Sequence, residues 1–424
     1  MKFCLGACFF IPKTRVLALV ALVFFLSIIS LNKIYSEKSK QTQRNIDSTF
    51  YNLVHEPAPL CKTPERMRYD TLLEKGNRYI KFHNEYTPPV PPKNSAGPAA
   101  VEPVKHKYFF AMNLYNNQEI IPHLLKEIQR LFEYLGPQNI YFSLYENGSD
   151  DSSKYILSMF KITLDKLGIR NTIIVQNKSK PQNVHRIEYL AKLRNKALEP
   201  LETESSNGRK YDKIVFMNDV LFCRNDILEL LYQSEHQQSD MTCPLDFNAY
   251  GEKNEMFFRD TWVARDLNGN KFDRSLQNMV SDKESKARLK RNLPFQVQCC
   301  WNGAAVLNAK PFYEPINLRF RRSKLRYNEC SASECSLMCN DFWEHGFRRI
   351  VTVPRVLLPY EMQHFVRLDD YYKLDPIPLP NEEKIRYVDG PETIVCDGLN
   401  NNDRYDPDQN SIRIKYTTNG TKVY

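Results

Sequence analysis

The sequence predicts an α/β fold: a mostly parallel sheet with helices on both faces, preceded by one transmembrane helix and a stem. Three observations predict it. Short apolar runs alternate four times with segments of helical period after Lys107. One uncharged apolar stretch stands alone near the N-terminus, and a polar, proline-rich spacer separates it from the alternating region.

The chain has 424 residues, 42% of them hydrophobic, enough to bury one large core or two medium ones. Its net charge is +9, with Lys and Arg spread along the chain instead of gathered in one block. Such a surface suits an anionic small molecule or an acidic membrane face. No zinc-finger spacing or aromatic RNA-binding signature is present, so nucleic acid is not an expected partner.

Residues 1–15 are read as a cytoplasmic tail and 16–35 as a signal-anchor. The uncharged run VLALVALVFFLSIISL is slightly shorter than the ~20 residues that span a bilayer, and the flank to Tyr35 extends it. No clear small-x-small cleavage site follows it. Basic residues on both sides leave the orientation open. The bulk of the chain, with sequons at Asn147, Asn177 and Asn419, favours a luminal face. The expectation is a single-pass type II protein of the Golgi or ER membrane. Of eleven cysteines, Cys4 and Cys8 precede the anchor, as palmitoylation sites or reduced thiols. The nine that follow it should pair in an oxidising lumen, with at least one left over. Cys330, Cys335 and Cys339 form no C-x-x-C and have no His at ligand spacing, which favours disulfides over zinc. Residues 36–104 read as a luminal stem ending in TPPVPPKNSAGPAAVEP.

The element pass begins at Tyr108. YFFAMNL (108–114) is a strand. The helix after it has Ile120, Leu124, Ile128, Leu131 and Leu135 on one face and Gly136 as its stop. NIYFSLY (139–145) is a second strand. A loop and helix follow, with Ser149 or Asp150 as N-cap and Tyr155, Met159, Ile162 and Leu167 facing in. NTIIVQ (171–176) is a third strand and HRIEYLAKLRNKALEPL a third helix. KIVFM is the fourth strand, and Asp226 with Glu229 fits a capping box before ILELL. The alternation argues for a parallel sheet whose ligands bind beyond the carboxyl ends of its strands. Residues 371–424 form a polar tail that either packs over the domain or stays loose.

The fourth strand breaks on Asn218 and Asp219. A carboxylate there can cap the next helix, but Asp226 is better placed for that. Other strand ends are also polar: Asn113 to Asn117, Glu146 to Asp151, and Asp246 with Phe247. A hard divalent cation that shares a substrate's phosphates calls for such oxygens. WNG (301–303) reads as a tight turn, with Trp301 either core or a face for a sugar ring. Glu334 is either a polar residue in a stapled loop or a carboxylate that meets a sugar hydroxyl. Asp260, Trp262, Arg265 and Asp266 form either a substrate-contacting loop or a satisfied Asp–Arg pair. The Arg265 guanidinium matches a diphosphate.

Eight blocks make a resemblance specific: FFAMNLYNNQEIIPHLL, IYFSLYENGSDDSS, HRIEYLAKLRNKALEPL, YDKIVFMNDVLFCRNDILELL, MTCPLDF, FFRDTWVARDLNG, VQCCWNGAAVLNAKPF and ECSASECSLMCNDFW. Together the chain resembles the fungal capsule-associated mannosyltransferases typified by the cryptococcal α-1,3-mannosyltransferase (glycosyltransferase family 69), from about Tyr108 to Tyr360. The resemblance implies a GT-A-like nucleotide-binding domain over 105–370. It implies GDP-mannose as donor, a mannose-containing glycan as acceptor, and Mn²⁺ or Mg²⁺ as cofactor. It puts Asn113 and Tyr115 at the base, and Glu146, Gly148, Ser149 and Asp150 near base and ribose. Arg194 and Asn195 then approach the nucleotide, with Asn218 and Asp219 at the metal motif, where a strict D-x-D is missing. Asp246 and His364 are further candidate metal ligands. Trp301, Asn302 and Gly303 line the sugars, and Glu334 is the candidate to touch the reacting one. The expected reaction is α-1,3 transfer of mannose with retention of configuration. A non-catalytic scaffold in capsule or cell-wall polysaccharide assembly is one alternative, and a sugar-nucleotide hydrolase is another.

Overall fold

The computed structural model describes residues 61, 106–177, 181, 184–250, 255–324, 329–366 and 383–417. The expected cytoplasmic tail, signal-anchor, Asn419 and all of the stem except Cys61 lie outside them. Among the described residues no helix is long and apolar enough to cross a membrane.

The alternation read from the sequence is present: β1 (Tyr108–Leu114), α1 (Ile121–Leu135), β2 (Ile140–Glu146), α2 (Ser153–Lys166), β3 (Arg170–Val175), α3 (Arg186–Ser206), β4 (Lys213–Met217) and α4 (Arg224–His236). β5 (Met241–Tyr250), β6 (Glu255–Phe258), α5 (Lys283–Lys290), β7 (Phe295–Gln296), β8 (Ala304–Asn308), α6 (Glu334–Glu344) and β9 (Ile350–Pro359) follow. A separate hairpin, β10 (Ile394–Leu399) and β11 (Tyr405–Ile414), closes the described chain.

Nine strands form one sheet in the order β3-β2-β1-β4-β8-β5-β9-β7, with β6 on β5. β3, β2, β1 and β4 are mutually parallel, as are β5 and β9, while β8 runs antiparallel between β4 and β5. The sheet is therefore parallel in the half the alternation described and mixed beyond it. Phe109–Met112 and Ile214–Met217 are wholly buried, as continuous apolar strands covered on both faces must be. The chain steps from β1 outward to β2 and β3, then returns to lay β4 on the other side of β1. In sheets of this kind such a reversal is where ligands bind, beyond the carboxyl ends of the two strands, here β1 and β4.

The local helix signals hold in part. Gly136 ends α1 at φ +89°, its N–H donating to Phe132 O at 3.0 Å. In α2 the buried face is Leu157, Phe160 and Leu164, and Ile162 is 47% exposed. The expected face of Tyr155, Met159, Ile162 and Leu167 was therefore out of phase. The helix carries two overlapping apolar stripes, and packing on the sheet selects one. Nor does Ser149 or Asp150 cap it: Asp151 Oδ1 accepts from Ser153 N at 2.9 Å. Asp226 sits three positions into α4, not at its cap, and accepts from Cys223 N at 2.8 Å.

Among the described residues four disulfides form, Cys61–Cys223, Cys243–Cys300, Cys299–Cys339 and Cys330–Cys396, and Cys335 stays free and buried. The odd count of nine cysteines from Cys61 onward is thereby resolved. Residues 383–417 pack onto the domain and are not loose. Cys396 is bonded to Cys330, Trp262 Nε1 donates to Asp397 O at 2.8 Å, and Arg186 N donates to Asp403 Oδ1 at 2.7 Å.

Candidate active site

The loop after β4 is held by backbone on two sides. Asn218 N donates to Gly303 O at 2.8 Å and Leu221 N to Pro359 O at 2.7 Å. The Gly303 carbonyl belongs to a tight turn, with Asn302 at φ +53°, Gly303 at φ +85° and Ala304 N donating to Trp301 O at 3.1 Å. Glycine is required there. A Cβ would stand 2.5 Å from Val220 Cγ1, at a φ that side chains rarely adopt. Asn302 is buried and donates to Pro244 O at 2.7 Å. WNG is thus the predicted turn, and it forms one wall of the strand-end loop.

A buried polar knot lies behind that loop. Arg194, from α3, donates through Nε to Glu334 Oε1 at 2.8 Å and through Nη1 to Asn218 Oδ1 at 3.0 Å. Trp301 Nε1 donates to the same Asn218 oxygen at 3.3 Å. The guanidinium lies 4.8 Å from the Trp301 ring centroid, 5.1 Å from Phe216 and 5.5 Å from Phe320. Trp301 is 1% exposed, so its face is not open to a sugar ring, contrary to expectation. Glu334, at 2% exposure, holds Arg194 and accepts from Ser333 Oγ at 3.2 Å, so it is not a group facing the substrate. Asn195 points elsewhere and exchanges two hydrogen bonds with the Phe320 backbone. Sequence gives the residue type but not which side of the loop it occupies.

The mouth of the crevice is more open. Asp219 Oδ2 accepts from Asn117 Nδ2 at 3.1 Å, which joins the ends of β4 and β1. Tyr115 is 41% exposed, an open ring beside the switch point. Asn113 is turned inward and donates to Leu193 O at 3.1 Å. Glu146 and Ser149 are fully buried and shape the neighbouring loop: Glu146 accepts from Ser149 N, and Ser149 Oγ from Asn116 N at 2.8 Å. Asp150 is exposed, and its N–H donates to Asn116 Oδ1 at 2.9 Å.

On the far side of the loop, Asp246 is wholly buried. Its Oδ1 accepts from Asp260 N at 3.1 Å and its Oδ2 from Tyr360 OH at 3.2 Å. Burial, and then the charge of Asp260, pushes its carboxyl up to about 7. Asp260 is raised as well, chiefly by burial. Arg259 Nη1 lies 3.7 Å from Asp246 Oδ2, and its guanidinium covers the Tyr360 ring at 3.8 Å.

Two expected positions fail on geometry. Arg265 is not placed to receive a diphosphate, because it is 5% exposed, Nε donates to Val395 O at 2.7 Å, Nη1 donates to Ala264 O at 2.8 Å and Trp262 O at 3.0 Å, and Nη2 lies 3.9 Å from Asp397 Oδ2. Asp266 orders its own loop, accepting from Asn268, Asn270 and Ser281 N–H groups. The missed residues are Arg259 and Tyr360. Arg259 stands beside Asp260 in the FFRD block, and only the pairing of β6 with β5 shows that it reaches Asp246.

A divalent cation on a diphosphate needs one or two carboxylates and completes its shell with phosphate oxygens and water. Asp219 fits that role, since among the described residues its side chain meets only the neutral Asn117 amide. Asp246 already has both oxygens engaged. His364 is 7% exposed, with Nδ1 unpartnered, and no contact joins it to Asp219 among the described residues. The only described group of three potential ligand atoms in mutual reach is Cys61, Glu127 and Cys223, whose cysteines are disulfide-bonded.

Residues 107–341 match the model of the family described as Cryptococcal mannosyltransferase 1. The chain belongs to this family. It is 35% identical over 272 residues to the α-1,3-mannosyltransferase CMT1 of Cryptococcus neoformans var. neoformans serotype D, over 60% of this chain and 58% of that protein. The match thus spans little more than half of that relative's length. A structure of GalNAc-T7 with UDP, GalNAc and Mn²⁺ aligns with 66% of this chain and 46% of its own, at 12% identity and a TM-score of 0.37. The mannosyltransferase PcManGT from Pyrobaculum calidifontis, in complex with GDP-Man and Mn²⁺, aligns with 62% and 61%, at 13% identity and a TM-score of 0.36. At that distance neither carries an argument about this chain.

Two outcomes are expected at the site. Glu334→Ala strands the Arg194 charge in the interior and should lower stability by roughly 3–5 kcal/mol. Denaturant unfolding measures it, and a loss under about 1 kcal/mol would show that the pair is not a structural centre. Asp246 has its native pKa above its unfolded value of about 3.9. Its proton therefore favours the native state fully below that value, and the contribution is lost as pH rises through about 7. The unfolding midpoint of the wild type should fall relative to that of Asp246→Asn between about pH 5 and about pH 8. A difference that stays constant with pH would contradict the raised carboxyl.

Proposed function

We propose that the protein is a retaining α-1,3-mannosyltransferase that moves mannose from GDP-mannose to a mannose-containing glycan, as a type II membrane protein of the Golgi or ER with its domain in the lumen. The observation that carries this reading is Asp219 at the crevice between β1 and β4, in a chain of this family. An α-linked donor and an α-linked product mean that configuration is kept, so no general base is needed for attack from the far side. The bond from the mannose anomeric carbon to the phosphate oxygen breaks on the same face on which the bond to the acceptor oxygen forms. The acceptor proton passes to the leaving phosphate. The work of the chain is then orientation and charge stabilisation.

Asp219 would hold the Mn²⁺ or Mg²⁺, which when bound supplies positive charge to the departing diphosphate. Asn218, fixed by Arg194 and Trp301, sets the loop that presents Asp219. Tyr115 offers its exposed ring to the base. A scaffold role keeps one supporting observation: among the described residues, no group of three potential ligand atoms surrounds the single carboxylate at the strand end.

The full-length protein, incubated with Mn²⁺, an α-linked mannose disaccharide and a panel of nucleotide sugars, should transfer from GDP-mannose. Asp219→Ala should lower the rate at least about 100-fold, the scale of losing one preorganised electrostatic group. Release of free mannose without acceptor would indicate a hydrolase. No transfer from any donor by well-folded protein would favour the scaffold.

A further inference from the structure

We infer that Arg259 is the residue that receives the diphosphate of the nucleotide-sugar donor beside Asp219, an inference that rests on the transferase reading and adds a recognition residue to it. Three guanidiniums lie near the strand-end loop or were candidates for it. Arg194 is buried, with Glu334 and Asn218 as its partners. Arg265 is buried, with main-chain carbonyls taking its donors. Arg259 differs in each respect. Its side chain is 45% exposed, and among the described residues its guanidinium makes no hydrogen bond. The nearest acceptor, Asp246 Oδ2, is 3.7 Å away, an ion pair but too long for a hydrogen bond.

The group is nevertheless held in place. Its Cζ sits over the Tyr360 ring, 3.8 Å from the centroid, and the Tyr360 hydroxyl is anchored to Asp246 at 3.2 Å. The same hydroxyl stands 3.4 Å from where a Cβ on Gly303 would be, and the Gly303 carbonyl accepts from Asn218 N. Arg259 and the Asn218–Asp219 loop therefore share one short wall. Burial opposes the Arg259 charge, but Tyr360, Asp246, Asp260 and Asp219 act on it together and raise its pKa. A planar cation, stacked on one face and with unused donors, suits two phosphate oxygens at once.

The test measures binding of GDP, UDP, ADP and the parent nucleosides to the full-length protein with Mn²⁺, in wild type, Arg259→Met and Arg259→Lys. The diphosphate that binds wild type should bind Arg259→Met about 10- to 100-fold more weakly, with partial recovery in Arg259→Lys, while the nucleoside binds all three alike. Unfolding midpoints should differ by no more than the loss of one half-exposed ion pair and one ring stack, since among the described residues the guanidinium makes no hydrogen bond. Equal diphosphate affinity in wild type and Arg259→Met overturns the inference and leaves the transferase reading intact. Parallel loss of diphosphate and nucleoside also overturns it, because Arg259 would then only shape the pocket. If wild type binds none of the diphosphates, the transferase reading falls first and this inference with it.

Discussion

The candidate site depends on one buried interaction, the Arg194 guanidinium between Glu334 and Asn218. It ties α3, α6 and the end of β4 to the Trp301 turn, so four separate parts of the chain meet at one side chain. Removing two charges from water is costly, and a pair of this kind is weak evidence for net stability. What it supplies is geometry. Arg194 Nη1 and the Trp301 N–H converge on one Asn218 oxygen, and three aromatic rings close the space around the guanidinium. The Asn218 backbone is then fastened to Gly303, and the next residue in the chain is Asp219.

The two sides of that loop have opposite character. Behind it, charge is fully paired and sealed. In front, among the described residues, Asp219 hydrogen-bonds only a neutral amide, Tyr115 is exposed, and Arg259 is stacked but makes no hydrogen bond. Asp246 and Asp260 are buried on the far side of the loop, and burial pushes both toward their neutral forms. A rigid back wall and an unsatisfied front are what orientation of a charged donor requires.

Much of the first half was legible in the sequence because buried parallel strands and amphipathic helices have strong periods. β1 and β4 were read to the residue, and the break at Asn218–Asp219 marked the crevice because strand ends in such sheets face ligands. What failed was direction and partnership. Trp301, Glu334 and Arg265 have the right chemistry for a sugar or a diphosphate, but sequence does not show that neighbours far along the chain enclose them. Val395, the partner of Arg265, is 130 residues away, and Glu334 meets Arg194 across 140. The phase of α2 failed because two apolar stripes overlap on one helix. Arg259 escaped notice because its position depends on the pairing of β6 with β5, which leaves little trace in four residues.

The most direct test of the account is the ³¹P NMR spectrum of GDP-mannose with trace Mn²⁺ and the full-length protein, because bound Mn²⁺ broadens only the phosphorus nuclei it sits beside. The account predicts strong broadening of both diphosphate signals with the wild type, reduced to the protein-free level by Asp219→Ala. Equal broadening by the two proteins, or none beyond the protein-free level with either, would contradict Asp219 as the residue that brings metal and donor together.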